Sequence, residues 1–404
     1  MSQLVQPQQF VTTKMKKVLY GVSSVGLGHA RRSLVIATKV KQLNPGKVQI
    51  DWVCAEPALS FMKSRGENVL KVSYDLESMS SFMEKGAKHG KIQDMSKVAR
   101  MSSEAGARNY GLLKPIFESY DVLIQDEFIE TMFAFTWDEA PPLPKKTITV
   151  TDYVRFETPS HNPFNRLVIG RANKLLRQAF GNQGLLIFAD EPEALPASKS
   201  LKQWVADSFH IVGPVVEELP KEAKHDLKMK LSGVADPVKL VVFSVGGTSV
   251  GKELVKCVMD NADRLSESLN AYLVVLLGPR IDSSKLPEST SNRLSLVPFT
   301  PDAPRYFKAA DCVVTQAGAS TLNEVASLGV PCVCMPIRNH WEQRQNAMRF
   351  AEKYGFVVLG YDELSKVTLK RAIKDAMSKE FEPMKAYNAA FTAAKLISDY
   401  IQQA

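Results

Sequence analysis

Several short stretches of this chain place chemically useful residues where a backbone turn would let them act. In Gln316-Ala317-Gly318-Ala319-Ser320 the side chains are small, so the backbone can come close to a ligand. The helix expected over about residues 321–328 then aims its free N–H groups and positive dipole end at that turn, which makes an anion site. Its first turn, Thr321-Leu322-Asn323-Glu324, has the T-x-x-E pattern of a capping box, so Glu324 reads as a helix cap or as a ligand. Upstream, residues 23–32 read SSVGLGHARR: Gly26 and Gly28 allow a tight turn, and His29 opens a helix. A dinucleotide site would need a glycine where Arg31 stands, which counts against an oxidoreductase, although Glu56 near a second strand end keeps that reading in play. Arg31 and Arg32 read either as phosphate contacts or as solvated helix charges. Gly246-Gly247-Thr248-Ser249-Val250-Gly251-Lys252 nearly spells a P-loop, but Glu253 replaces the hydroxyl that would hold Mg2+.

Each of these turns follows a short apolar run, and such runs alternate with helical patterns almost throughout. Strands are expected over residues 17–20, 48–54, 122–124, 147–150, 185–188, 240–245, 271–277, 313–315 and 332–335. That alternation predicts an α/β protein with parallel sheets. The strand, glycine-containing loop and helix of residues 17–29 recur at 240–252, so two doubly wound, Rossmann-like domains are expected. The division is a disordered tail at 1–14, a first domain at 15–212, a second at 213–384, and a helix at 385–404 packing back on the first. In this architecture ligands bind outside the carboxyl ends of the strands, here the cleft between the domains.

Composition agrees. A chain of 404 residues is long for one core, and 45% apolar content is ordinary for a globular protein. No run approaches the roughly 20 apolar residues of a membrane helix, and the tail lacks the pattern of a secretory signal, so a cytoplasmic location is expected. Cys54, Cys257, Cys312, Cys332 and Cys334 include no CxxC pair and read as reduced core residues. A net charge of +8 favours an anionic partner: nucleotide, lipid phosphate or membrane surface. Nucleic acid is not expected, because no dense basic run carries interleaved aromatics.

Residues 311–347, DCVVTQAGASTLNEVASLGVPCVCMPIRNHWEQRQNA, closely resemble the donor-binding segment of nucleotide-sugar glycosyltransferases of the GT-B fold. The families it is most similar to are the MurG-type lipid-linked N-acetylglucosaminyltransferases and the glucuronosyl/glucosyltransferase superfamily. The resemblance is strong over residues 239–350 and weaker over 16–60. It implies that Gly318, Ala319, Ser320 and Thr321 receive the diphosphate of a UDP-sugar, with Gly246, Gly247, Thr248 and Ser249 facing it. It implies ribose binding by Glu324, sugar-hydroxyl binding by Glu342 and Gln343 on a polar loop, and a uracil wall at Phe299, which reads equally as a core aromatic. His29 becomes the general base on the acceptor hydroxyl, its ordinary pKa near 6.5 suiting that task. Asp126, at the end of the 122–124 strand, is the candidate to orient it, with Glu127 as competitor and a surface loop acid as the plain alternative. The implied reaction is inverting hexosyl transfer from a UDP-sugar to a hydroxyl of a lipid or glycan, without a cofactor and, as no Asp-x-Asp motif occurs, without a metal. Contact with an anionic membrane is compatible with the charge. The alternatives are an epimerase or hydrolase of the same fold, a non-catalytic partner subunit, and a P-loop kinase.

Overall fold

The strands of this chain read as continuous apolar runs, as expected of strands covered on both faces, and they build two parallel sheets. A computed structural model describes residues 15–88, 91–92, 95–157, 163–195, 198–246, 249–287, 291–380, 382–385 and 388–403. The expected tail at 1–14 lies outside them, as do Gly247 and Thr248.

The first sheet runs in the order Val48–Val53, Lys16–Val22, Val122–Asp126, Lys146–Thr151, Leu185–Phe188, His210–Ile211. An isolated parallel bridge between Trp52 and Val69 extends its far edge. The second sheet runs Leu294–Val297, Ala271–Leu276, Lys239–Ser244, Cys312–Thr315, Cys332–Cys334, Val357–Val358. In both, the order reverses at the first strand, Lys16–Val22 and Lys239–Ser244. The loops after these strands therefore open into the ligand crevice of a doubly wound sheet.

Each sheet is sandwiched by helices. Val18, Tyr20, Ile50, Trp52, Ile124 and Ile148 form one face of the first core. Phe243, Val275 and Val314 face one side of the second sheet, and Val242, Val274 and Val313 the other. The alternation follows from the two-residue period of a strand.

The chain changes domains twice. After Ile211 it passes through the segment holding Glu217 and enters the helix Lys224–Ser232, whose Leu227 packs in the second core. There Lys228 is buried between Asp236 and Asp311, at 2.7 and 3.2 Å. At the other end Met384 still belongs to the second core. The helix Ala389–Gln402 lies instead on the first domain, burying Ala389, Ala393, Ala394, Ile397 and Ile401 beside Ile36, Ala37 and Val40. Asn44 locks it there, donating to Ser398 Oγ (2.7 Å) and accepting from Gln402 Nε2 (2.7 Å).

A further seam joins the domains. Arg349 on the helix Trp341–Tyr354 makes a bidentate pair with Asp190 of the first domain, at 3.0 and 2.8 Å. One turn on, Lys353 contacts both oxygens of Glu191 at 2.7 Å.

Candidate active site

Two helix N-termini meet across the cleft, and neither has a side-chain cap. The helix Gly28–Leu43 starts after Leu27 with no capping hydrogen bond, and the helix Ala319–Ser327 starts after Gly318 in the same state. Each leaves N–H groups of its first turn unsatisfied and its positive dipole end facing the gap. They approach closely: a Cβ added to Gly28 would stand 2.5 Å from Ser320 Oγ. The second helix begins two residues before the expected position. Thr321 is therefore inside it, Gly318 holds the cap position, and Glu324 sits beyond the first turn. The capping-box reading of Glu324 is overturned by this register.

The cavity between them encloses about 210 Å3. Gly26, Gly28 and His29 line it from the first domain. Gly246, Phe299, Gly318, Ala319, Ser320, Thr321, Glu324, Glu342 and Gln343 line it from the second. Ser249 opens a short 3-10 turn, Ser249–Gly251. Gly251 is required there by packing, since a Cβ would stand 2.5 Å from Val245 Cβ. Lys252 points to solvent and does not line the cavity, which removes the P-loop reading. Glu56, the acid that would support a dinucleotide site, is held by Ser60 at 2.7 Å and is also away from the cavity. Phe299 serves both of its readings, lining the cavity and packing on the first domain's core.

Behind His29 lies a buried charge network. Its Nδ1 is 2.9 Å from Asp126 Oδ1. Asp126 also accepts from Arg32 Nε and from Ser33 Oγ, each at 2.9 Å. Burial works to raise the Asp126 pKa, but Arg32 and then His29 override it and hold it at about 2. Asp126 is thus an ionised, fully buried acceptor and not a surface loop acid. An ionised carboxylate can only accept, so Nδ1 carries the proton and Nε2 is left facing the cavity side. Glu127 Oε2 lies 3.6 Å from that Nε2. Burial works to lower the His29 pKa, yet Glu127 and Asp126 raise it to about 9, above the ordinary value near 6.5 expected from the sequence, so Nε2 acts as a base only in the fraction of molecules that has lost its second proton.

Neither arginine is solvated, and neither is free for a phosphate. Arg32 is buried and spans Asp126 and Asp152, the latter at 2.7 Å. Arg31 donates to Glu217 (2.9 Å) and to the Pro301 carbonyl (3.0 Å), and reaches Glu324 Oε1 at 3.7 Å. The hydrogen-bond partners among these stand 94 to 270 residues away and Glu324 lies further still, so local spacing gives no sign of them.

The acids of the second wall are buried too. Burial pushes Glu324 up to about 7, with Arg31 opposing and Glu217 adding to the rise. Burial and then Asp152 across the cleft push Glu342 up to about 7. Glu342 and Gln343 are in the first turn of the helix Trp341–Tyr354 and not on a loop, because His340 Nδ1 caps it by accepting from Gln343 N. Gln343 Oε1 in turn accepts from Ile337 N at 2.9 Å, which fixes the loop before the helix.

His29, Asp126 and Glu127 bring one nitrogen and two carboxylates within 4.8 Å of one another, a donor set a divalent ion could use. The Arg32 guanidinium already fills that space, 2.9 Å from Asp126 Oδ2 and 3.1 Å from His29 Nδ1. A cation would meet a fixed positive charge there, so the residues do not fit a metal.

Two Rossmann-like domains with the cavity between them make this a GT-B fold. It aligns over 98% of the chain with all of a UDP-glucosyltransferase from Polygonum tinctorium, at a TM-score of 0.61 and 13% identity. Residues 241–400 match the glycosyltransferase family 28 C-terminal domain. An uncharacterized glycosyltransferase of Methanopyrus kandleri is 29% identical over 41% of this chain and 46% of its own length. The UDP-N-acetylglucosamine--N-acetylmuramyl-(pentapeptide) pyrophosphoryl-undecaprenol N-acetylglucosamine transferase of Caulobacter vibrioides is 28% identical over 56% of this chain and 61% of its own. The chain thus spans about half to three-fifths of the curated relatives it matches. It resembles MurG-type proteins in sequence and fold, and UDP-glycosyltransferases in fold.

Proposed function

We propose that this protein is a glycosyltransferase that moves a hexose or N-acetylhexosamine from a UDP-sugar to a hydroxyl of a lipid or glycan acceptor. The observation that carries the reading is the pair of uncapped helix N-termini, at Gly28 and Ala319, opposed across a cavity that also holds His29. Backbone N–H groups there would hold a diphosphate without a lysine or arginine, which suits a site whose two arginines are already engaged.

The chemistry follows from the geometry. The acceptor hydroxyl lies against His29 Nε2. Its oxygen attacks the anomeric carbon from the face opposite the diphosphate, so the configuration inverts. The O–H bond breaks and its proton passes to Nε2, while the bond from the anomeric carbon to the diphosphate oxygen breaks and UDP leaves with the electron pair. Asp126 holds the Nδ1–H and stabilises the imidazolium that forms, the role an aspartate takes beside a catalytic histidine. Charge growing on the leaving diphosphate meets the N–H groups of Ala319, Ser320 and Thr321. In this reading no step needs a metal, because the helix ends supply the electrostatics and Arg32 fills the cluster of candidate ligands found among the described residues.

Glu324 is the ribose ligand of this reading, and Glu342 and Gln343 bind the sugar hydroxyls. Raised pKa values make both acids ready hydrogen-bond partners for hydroxyls. Among the described residues no helix is long and apolar enough to cross a membrane. A lipid acceptor would be met by peripheral contact, which the net charge of +8 favours at an anionic surface. Product analysis tests the assignment. The expected products are UDP and a glycosylated acceptor in equal amounts. UDP with free sugar would indicate a hydrolase, and an altered sugar still attached to UDP an epimerase.

A further inference from the structure

The reading of the reaction gives work to His29 and Asp126 and leaves the next residue, Glu127, without any. Consecutive residues on a strand point to opposite faces. Glu127, the first residue past the strand Val122–Asp126, leaves that alternation. Its backbone lies in the left-handed region at φ +48°, a conformation a non-glycine residue rarely adopts. The turn brings its side chain to the same side as Asp126, and both carboxylates address one imidazole. Asp126 takes Nδ1 at 2.9 Å, and Glu127 Oε2 lies 3.6 Å from Nε2. The other oxygen, Oε1, is tied down by Thr151 Oγ1 and by the backbone N–H of Asp152, each at 2.9 Å. Two tethers on one oxygen leave the second fixed in the cavity, which Glu127 lines.

We propose that Glu127 is a further catalytic residue: its Oε2 and His29 Nε2 form a two-point seat for the acceptor hydroxyl, and its carboxylate faces the imidazole from the side opposite Asp126. The inference rests on the glycosyltransferase reading for the identity of the hydroxyl. The pairing of Glu127 with His29 does not depend on it. With Glu127 ionised and the imidazole neutral, the acceptor's hydrogen is shared between Oε2 and Nε2, and a lone pair of the hydroxyl oxygen is turned to the anomeric carbon. As the carbon–oxygen bond forms, the O–H bond breaks and the proton settles on Nε2, and Glu127 stabilises the imidazolium from the side opposite Asp126.

The charged surroundings of Glu127 all bear on this. His29 and Arg32 face it from the first helix, and Asp126 ends the strand just before it. Asp152 and Tyr153 face it from the end of the neighbouring strand, and Glu342 lies beyond Asp152 on the second domain. Burial and then Asp152 raise the Glu127 pKa, to about 8, against the pull of His29 and Arg32, so its carboxylate is charged in the range where His29 gives up its proton. Among the groups that raise the His29 pKa, Glu127 comes first. Removing its charge therefore lets the His29 pKa fall.

The test is Glu127→Gln, which keeps an oxygen for the Thr151 and Asp152 tethers and loses the charge. Ring NMR of the six histidines, with His29→Gln to assign the signal, follows His29 without any substrate. His29 is expected to titrate well above 6.5 in the native chain and at least one pH unit lower in E127Q. The acid limb of kcat/KM is expected to move down by the same amount, with KM for the acceptor raised about tenfold. If His29 titrates identically in both proteins, the proposal is overturned. If no transfer is ever detected, the reaction assignment fails and the titration still decides the pairing. Should E127Q not fold, Thr151→Val releases one tether and keeps the charge. It is expected to lower kcat and leave the His29 titration in place, and an unchanged kcat would count against the seat.

Discussion

Arg31, on the first helix of the first domain, reaches to within 3.7 Å of Glu324 on the second. The carboxylate assigned to the donor's ribose thus faces a cation that belongs to the opposite domain. Arg31 is itself held by Glu217 and by the Pro301 carbonyl, so it is a fixed part of the wall. Donor binding, in this account, is sensed at once by both halves of the molecule.

Glu324→Gln separates ligand from scaffold. The residue lies beyond the first helical turn and caps nothing, so the substitution is expected to leave the melting temperature unchanged or slightly raised. Loss of charge-assisted hydrogen bonds worth roughly 1.5–3 kcal/mol should weaken donor binding about 10- to 100-fold. Calorimetry with a UDP-sugar measures it. An early-melting variant with normal affinity would contradict the assignment.

Gly28→Ala tests how closely the helix ends must meet. The added methyl would stand 2.5 Å from Ser320 Oγ, nearer than any real contact allows. Closure should be blocked and kcat/KM should drop about tenfold or more, a misplacement effect. Pairing it with Ser320→Gly removes the clashing hydroxymethyl and is expected to recover part of the loss. A single variant with full activity would show that the ends do not approach in catalysis.

His29 and Asp126 should differ in kind. His29→Ala leaves Asp126 still bound by Arg32 and Ser33, so stability should persist while turnover falls roughly 10²- to 10⁴-fold. Asp126→Asn strips a buried partner from Arg32, at a cost of up to about 3–5 kcal/mol, less whatever Asp152 makes good. Thermal melts beside steady-state rates distinguish the two. A stable, fully active Asp126→Asn protein would remove the network from the mechanism.

The raised acids fix the sign of a pH dependence. Glu324 and Glu342 hold their protons to about pH 7 when folded, against an ordinary glutamate value near 4.5. Their contribution to stability is present below pH 4.5 and lost as the pH rises to 7. His29 has the same sign, with its contribution present below 6.5 and lost by about 9. Asp126 is opposite and loses its contribution only as pH falls towards 2. The ligand-free protein should therefore melt highest near pH 5 and progressively lower up to pH 9. A melting temperature that rises from pH 6 to 9 would show these groups are not charged as described.

Much of this was legible in the sequence, for a physical reason. Buried parallel strands are continuous apolar runs, so Leu185–Phe188 and its neighbours stand out by composition alone. The turns at Gly26 and at residues 316–318 follow those strands and open the next helices. Less legible were the short edge strands His210–Ile211 and Val357–Val358, too brief to form a pattern. The helix start was misplaced because T-x-x-E mimics a cap, whereas Gly318 opens the helix by backbone geometry alone. The engagement of Arg31 and Arg32 was invisible, since every acidic partner is distant in sequence. So was the role open to Glu127, which depends on a left-handed residue that spacing does not announce.

The central claim is that the cavity holds a UDP-sugar, and a thermal-shift panel of UDP-, GDP- and dTDP-sugars tests it most directly. Binding to the folded state alone raises stability by mass action, about 2.7 kcal/mol at a hundredfold excess over Kd. The expected result is a clear rise in melting temperature with UDP and with one or more UDP-sugars, much reduced in Glu324→Gln. Indifference to every UDP-sugar at millimolar concentration would contradict the account.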